Sequence, residues 1–156
     1  MTRVQLAIMA GLRRLGDPYL MRGLEGKPLL TGRRETDCSG FLQVIVAEAE
    51  IERITKGDKS IRIRDWAGSV IQFNWCREIP VSTALGRKGI GTFLFIKPRG
   101  SIAGHVALSL GHGYTLEARG SEGVCIVRPE TNAKRKWDRA AKLGDLFKAV
   151  TAGREA

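Results

Sequence analysis

Apolar positions recur at helical spacing in the first half of the chain and at strand spacing in the second. Val4, Ile8, Met9 and Leu12 fall on one face of an amphipathic helix, which Leu15 continues. Residues 16 to 36 are broken by Gly16, Asp17-Pro18, Gly23, Gly26, Pro28 and Gly32, so a loop is expected there, with Tyr19 inside it. Cys38, Phe41, Leu42, Ile45 and Ala49 then mark one face of a second helix, for which Thr36 or Asp37 is the N-cap. Lys56-Gly57-Asp58 reads as a turn, and Asp65 as the cap of a further helix with Trp66, Val70, Ile71 and Trp75 on its apolar face. Cys76 ends that element and reads as a packing residue.

After residue 90 the period changes. Thr92 to Ile96 is a short apolar run stopped by Pro98 and Gly100, as for a buried strand. From His105 to Leu110 the chain alternates, with Val106, Leu108 and Leu110 on one face. Gly111-His112-Gly113 makes the turn, Tyr114 to Ala118 returns, and Gly123 to Val127 supplies one more strand, with Cys125 facing the core. Residues 131 to 142 are basic and polar and read as a solvated surface, and Leu143 to Val150 as a closing short helix. Helices first and antiparallel strands after them define an α+β fold in a single domain.

Composition narrows the function classes. With 156 residues, 43% hydrophobic and 27% charged, the chain has the profile of a soluble globular domain with a sizeable core. Three cysteines without CxxC spacing, and only two histidines, argue against a zinc site or a disulfide framework, so no metal or cofactor is expected. A net charge of +10 calls for a polyanionic setting such as nucleic acid, phosphate-rich wall polymer or anionic lipid. No nucleic-acid motif accompanies the charge, so no specific nucleic-acid partner is expected. The first apolar run is short, is followed by Arg13-Arg14 and has no small-residue cleavage site, and no later run has the length of a membrane span. Synthesis in the cytoplasm without a signal peptide is the expectation.

The chemistry centres on Cys38. In the first turn of a helix, unpaired N–H groups and the positive end of the dipole favour the thiolate, the nucleophilic form, although most free cysteines are simply small buried hydrophobes. A thiol nucleophile needs a base. His112 lies in a Gly-His-Gly turn suited to solvent, which leaves His105. With a three-residue turn at 111 to 113, Leu110 faces Tyr114, Ser109 faces Thr115 and His105 faces Arg119. His105 and Glu117 then become diagonal neighbours roughly 7 Å apart on one face. Glu117 can fix the tautomer of the imidazole, while its bland reading is a salt bridge to Arg119. A slip of one residue would send Glu117 to the other face.

Asp37-Cys38-Ser39-Gly40-Phe41, the strand Gly104-His105-Val106-Ala107-Leu108, and the segment from Gly111 to Gly120 resemble, in that order and spacing, the NlpC/P60 cysteine peptidases. The Glu117-Ala118-Arg119-Gly120 ending is similar to phage-associated members. The resemblance implies a papain-like fold and cleavage of peptidoglycan stem peptides, usually between γ-D-glutamate and a diamino acid. It implies Cys38, His105 and Glu117 as catalytic residues, Tyr19 as a stabiliser of the oxyanion, and Asp37 and Ser39 as contacts to the free amine of the stem peptide. The sequence departs from the family where Leu20-Met21-Arg22-Gly23 follows Tyr19, where Gly91-Thr92-Phe93 precedes the histidine strand, and where Glu117 stands in place of a common histidine. Residues 51–90 fit the family poorly, which suggests an insertion that shapes the substrate groove.

The expected role is thus a wall peptidase of a phage or prophage, as lysin or tail component, with bacterial peptidoglycan and virion proteins as partners. Two other readings stand beside it. The same Cys-His pair serves an amidase or acyltransferase on another substrate, and a catalytically silent basic module would bind wall polymer or nucleic acid by charge.

Overall fold

A computed structural model describes residues 1–19, 36–101 and 104–150. The breakers Gly23, Gly26, Pro28 and Gly32 and the family departure at residues 20–23 lie outside the described residues. Helix α1 spans Arg3–Leu12 and opens on a capping box, in which Gln5 N donates to Thr2 Oγ1 at 3.2 Å and Thr2 N donates to Gln5 Oε1 at 2.8 Å. Its buried stripe is Arg3, Ala7, Ala10 and Gly11, whereas Met9, Leu12 and Leu15 are exposed. This corrects the expected apolar face. Small residues face inward because the helix packs too closely for large ones: a Cβ on Gly11 would stand 2.5 Å from Leu116 Cδ2 and 3.2 Å from the Phe41 ring.

Helix α2, Cys38–Glu48, is the central helix, with Phe41, Leu42, Val44, Ile45 and Val46 at 0% exposure. An antiparallel hairpin of β1 (Arg53–Lys56) and β2 (Lys59–Arg62) follows, and Gly57, at φ +64°, takes the left-handed position of its turn. The helix expected to start at Asp65 is instead α3, Ser69–Asn74, entered through Gly68 at φ +82°. Trp66 is fully buried as expected, but Val70 and Ile71 are exposed, and the residue that α3 buries is Gln72. The polar side chain goes inward because it has backbone partners there, and Cys76 packs in the core.

The remaining strands are β3 (Arg77–Ile79), β4 (Phe93–Ile96), β5 (His105–Gly111), β6 (Tyr114–Arg119), β7 (Gly123–Val127) and β8 (Arg139–Lys142), with helices α4 (Val81–Leu85) and α5 (Pro129–Lys134) between them. They form one six-stranded sheet in the order β3-β8-β4-β5-β6-β7, every neighbouring pair antiparallel. Residues 51–90 thus contribute a strand to the main sheet and Ile54, Trp66 and Ala84 to its cores. On one face Phe93, Phe95, Val106, Leu108, Leu116 and Ala118 share a core with α1 and α2. On the other, Leu94, Ala107, Trp137 and Ala140 pack with Ala84 of α4.

The segment 131–142 is not the solvated surface its charge suggests. Asn132, Trp137, Ala140 and Ala141 are buried, and β8 lies inside the sheet between β3 and β4. The closing element is one 3₁₀ turn, Gly144–Phe147, in place of a short α-helix.

The hairpin of β5 and β6 also differs at its tip. Gly111 pairs with Tyr114 across a two-residue turn, His112-Gly113, whose residues both have positive φ. An irregularity between Ser109 and Gly111 absorbs the extra residue. Further in, Ser109 faces Thr115 and Leu108 faces Leu116, the register expected from the sequence.

Strand β7 returns beside the loop that carries Tyr19. Gly16 N donates to Val124 O, and Val124 N donates to Asp17 O, each at 2.9 Å. Gly123 permits the approach, because its φ is +71° and a Cβ there would meet Asp17 O at 2.2 Å. We expect Gly123→Ala to lose about 1–3 kcal/mol in denaturant unfolding. Gly120→Ala, which meets nothing within 4 Å, should stay within about 0.5 kcal/mol of wild type.

Candidate active site

Asp37 is the N-cap of α2: its Oδ1 accepts from Gly40 N at 2.7 Å and from Ser39 Oγ at 3.4 Å. The cap fixes where the helix begins, and so places Cys38, 8% exposed, as its first residue. Two glutamines tie this end of the molecule to the following segment. Gln72 Nε2 donates to Ser39 O at 2.9 Å, and Gln43 Nε2 donates to Ile63 O and Arg64 O at 2.8 and 2.9 Å. The nucleophile candidate therefore sits on a helix pinned at its start.

His105 is the first residue of β5, on the sheet face opposite the α2 core, and lies within electrostatic reach of Cys38. Its Nε2 lies 2.7 Å from Glu117 Oε1. The register that pairs Ser109 with Thr115 puts the two on one face. Nδ1 is then the ring nitrogen left for the thiol. Burial opposes a charged imidazole here, but the interactions with Cys38 and Glu117 outweigh it and lift the His105 pKa to about 9.

Glu117 has no solvent exposure. Arg135 meets it with two parallel bonds, Nη2 to Oε1 at 2.8 Å and Nη1 to Oε2 at 3.0 Å, and Thr115 Oγ1 donates to Oε2. Burial raises the Glu117 pKa, yet hydrogen bonds from His105 and Arg135 hold it down at about 2. The expected bridge from Arg119 is a longer contact, 3.9 Å. Asn132 Nδ2 supports the network from below, donating to Thr115 Oγ1 at 3.1 Å and Gly113 O at 2.8 Å, while its Oδ1 accepts from Arg135 Nη1 at 3.0 Å. Trp137 stacks on His105, with ring centroids 6.2 Å apart and planes 28° apart, and carries the Arg135 guanidinium 4.4 Å from its own centroid.

Tyr19 joins this cluster from the loop side through a bridge to Thr36. Burial first, then the Cys38 and Asp37 side chains, push its phenol up to about 12, so it remains a proton donor at neutral pH. Six residues singled out in the sequence, Tyr19, Asp37, Cys38, Ser39, His105 and Glu117, thus fall in one neighbourhood. Arg135, Asn132, Trp137 and Thr115 are additional to them. The signal that pointed to Arg135 was a strand glutamate in need of a counter-charge, but only Arg119 was near in sequence. His112 is exposed in its turn, as expected. Cys125 departs from its expected place in the core. It is half-exposed on β7, the edge strand of the sheet, on the side it shares with its partner Glu117, and burial raises its pKa.

A helix-borne thiol, a strand histidine and a charged carboxylate thus share one neighbourhood on an α+β scaffold. The NlpC/P60 family model matches residues 16–142, and the chain belongs to the NlpC/P60 family. Solved structures share the fold. They include NlpC1 from Trichomonas vaginalis (TM-score 0.64, 14% identity, 91% of this chain and 44% of that one). An NLP/P60 family protein from Staphylococcus aureus gives 0.61 at 19% identity, over 90% of this chain and 41% of that one. The NlpC/p60 domain of the peptidoglycan hydrolase SagA gives 0.59 at 22% identity, over 89% and 97%. The chain spans less than half the length of the first two. No curated protein matches the chain in sequence.

Removing Arg135 leaves a buried carboxylate with one charged partner fewer. We expect Arg135→Ala to cost about 3–5 kcal/mol in chemical denaturation at pH 7. The pH dependence has a defined sign. Glu117 ionises more easily folded than unfolded, so its contribution is present above the usual carboxylate pKa of about 4.5 and is lost as pH falls toward 2. His105 works the other way: its contribution is full below about 6.5 and is lost as pH rises through 9. Unfolding free energies measured from pH 3 to 10 should therefore fall at both ends, and His105→Ala should flatten the alkaline limb.

Proposed function

We propose that this chain is a cysteine endopeptidase that hydrolyses peptidoglycan stem peptides, with the bond between γ-D-glutamate and a diamino acid as its target. The observation that carries this reading is the His105–Glu117 hydrogen bond placed within electrostatic reach of Cys38 on an NlpC/P60 scaffold. A neighbour of the same fold is a peptidoglycan hydrolase by name.

In this reading Cys38 Sγ attacks the scissile carbonyl carbon, and the carbonyl π-electrons move onto oxygen. The amides of the α2 N-terminus and the Tyr19 hydroxyl stabilise that oxyanion. Collapse of the intermediate breaks the C–N bond while the His105 imidazolium gives its proton to the leaving amine. A thioester on Cys38 remains. His105, now neutral, takes a proton from water, the resulting hydroxide attacks the thioester, and the acid leaves as the thiolate is restored. Glu117, charged throughout, holds the ring orientation and stabilises the imidazolium. The Asp37 carboxylate and Ser39 hydroxyl, beside the thiol, receive the free amine of the stem peptide.

A groove of about 270 Å³ lined by Ser69, Val70, Phe73, Phe95, Ile96 and Arg139 adjoins Ile96, the cross-strand partner of His105. This supports a role for the 51–90 segment in forming the substrate groove. A phage or prophage setting, as lysin or tail component, rests on the similarity of residues 117–120 to phage-associated members. The +10 charge suits attraction to anionic wall polymer.

The test is digestion of purified peptidoglycan followed by mass spectrometry of the soluble fragments. Wild type should release peptides with new amino termini on the diamino acid. Cys38→Ala should release none, and Glu117→Gln, which keeps shape but loses charge, should be slower by about 10²–10⁴. Sugar-chain products, or equal digestion by Cys38→Ala, would contradict the thiol mechanism.

A further inference from the structure

A second pocket, of about 370 Å³, shares no lining residue with the Cys38 site and opens between the β1–β2 hairpin and the β3–β8 edge. Lys56, Arg77 and Lys142 line it together with Trp75 and Phe147, and no carboxylate does so among the described residues. Arg77 and Lys142 are direct cross-strand partners. Like charges in that position repel, so the pair weakens the sheet edge unless something negative lies between them. Both ammonium groups are steadied: Lys142 Nζ stands 4.3 Å from the Phe147 centroid, and Lys56 Nζ donates to Asn74 O at 2.6 Å. The nearby acid Asp145 is already engaged, accepting from Thr55 N at 2.6 Å and from Lys148 Nζ at 2.9 Å. The volume suits one sugar-sized unit, within the range of small-ligand pockets. Half-buried Trp75 offers an apolar wall to the C–H side of such a unit.

We propose that this pocket binds a polyol phosphate unit of an anionic cell-wall polymer, anchoring the enzyme beside its substrate. The proposal rests on the wall-peptidase reading for its choice of polymer. Three cations fit a phosphate diester, and their grouping in one pocket, in place of a row along a groove, favours a single repeating unit over a nucleic-acid strand.

The test is fluorescence anisotropy of a labelled glycerol-phosphate oligomer, which contains no peptide bond to cleave, titrated with the full chain. Arg77→Gln/Lys142→Gln should weaken binding at least about tenfold. Arg87→Gln/Lys88→Gln, which removes the same charge from exposed positions elsewhere, should stay within about threefold of wild type. Arg77→Lys should also retain binding. Melting of the Arg77→Gln/Lys142→Gln variant at or above the wild-type temperature would show that relief of repulsion, and no loss of fold, accompanies the weakened binding. Equal weakening by both charge-removing variants, absence of saturation, or equal competition by a thymidine oligonucleotide of the same charge would overturn the proposal. Hydrolysis of a soluble stem peptide by the Arg77→Gln/Lys142→Gln variant should match wild type. Absence of that hydrolysis in wild type, with pocket binding intact, would count against the peptidase alone.

Discussion

Glu117 is a carboxylate at 0% exposure that stays charged because two cationic groups enclose it: the His105 ring on one oxygen and the Arg135 fork across both. Taking such a charge out of water costs several kcal/mol, and the cost is offset only when every lone pair is met. Here Thr115 fills the remaining direction, and Asn132 holds Thr115 and Arg135 in turn. The arrangement is therefore all or nothing. With it complete, His105 carries a proton to about pH 9 and faces the thiol with its orientation set. Without Arg135, the glutamate would tend to neutralise, and the histidine would lose the charge that keeps it protonated.

The scaffold brings these groups together from both sides of one sheet. Helix α2 lies on the face of Val106, Leu108 and Leu116, and presents Cys38 at its first turn. His105 and Glu117 belong to the other face, which α4 and Trp137 cover. Because His105 is the first residue of its strand, its ring can meet the helix terminus beyond the strand end. The glycines at the β5–β6 tip matter for the same reason, since the primed turn and the irregularity beside it leave the inner register unchanged. A slip there would turn Glu117 away from the histidine.

Much of this was legible in the residues. A cysteine preceded by Asp37 and followed by apolar positions at helical spacing announced a thiol at a helix start, and strict alternation from His105 onward announced the strand that carries this histidine. What the sequence hid was the inward use of polar and charged side chains. Residues 131–142 look like solvated surface because charge is normally solvated, yet Arg135 is bound to a glutamate eighteen positions away in sequence. Gln72 is buried where Val70 and Ile71 were expected, because it finds the Ser39 and Trp66 carbonyls. In α1, close packing against Phe41 and Leu116 favours alanine and glycine over the larger residues that periodicity alone selects. Each case is a tertiary partner overriding a local preference.

The site depends on the charge state of His105. Following its ring resonances by NMR from pH 5 to 10 measures that directly. The structure predicts a midpoint near 9 in wild type, falling toward the free value of about 6.5 in Glu117→Gln and in Cys38→Ala. A wild-type midpoint at or below 6.5, unmoved by either substitution, would mean that no charged His105–Glu117 pair exists beside Cys38.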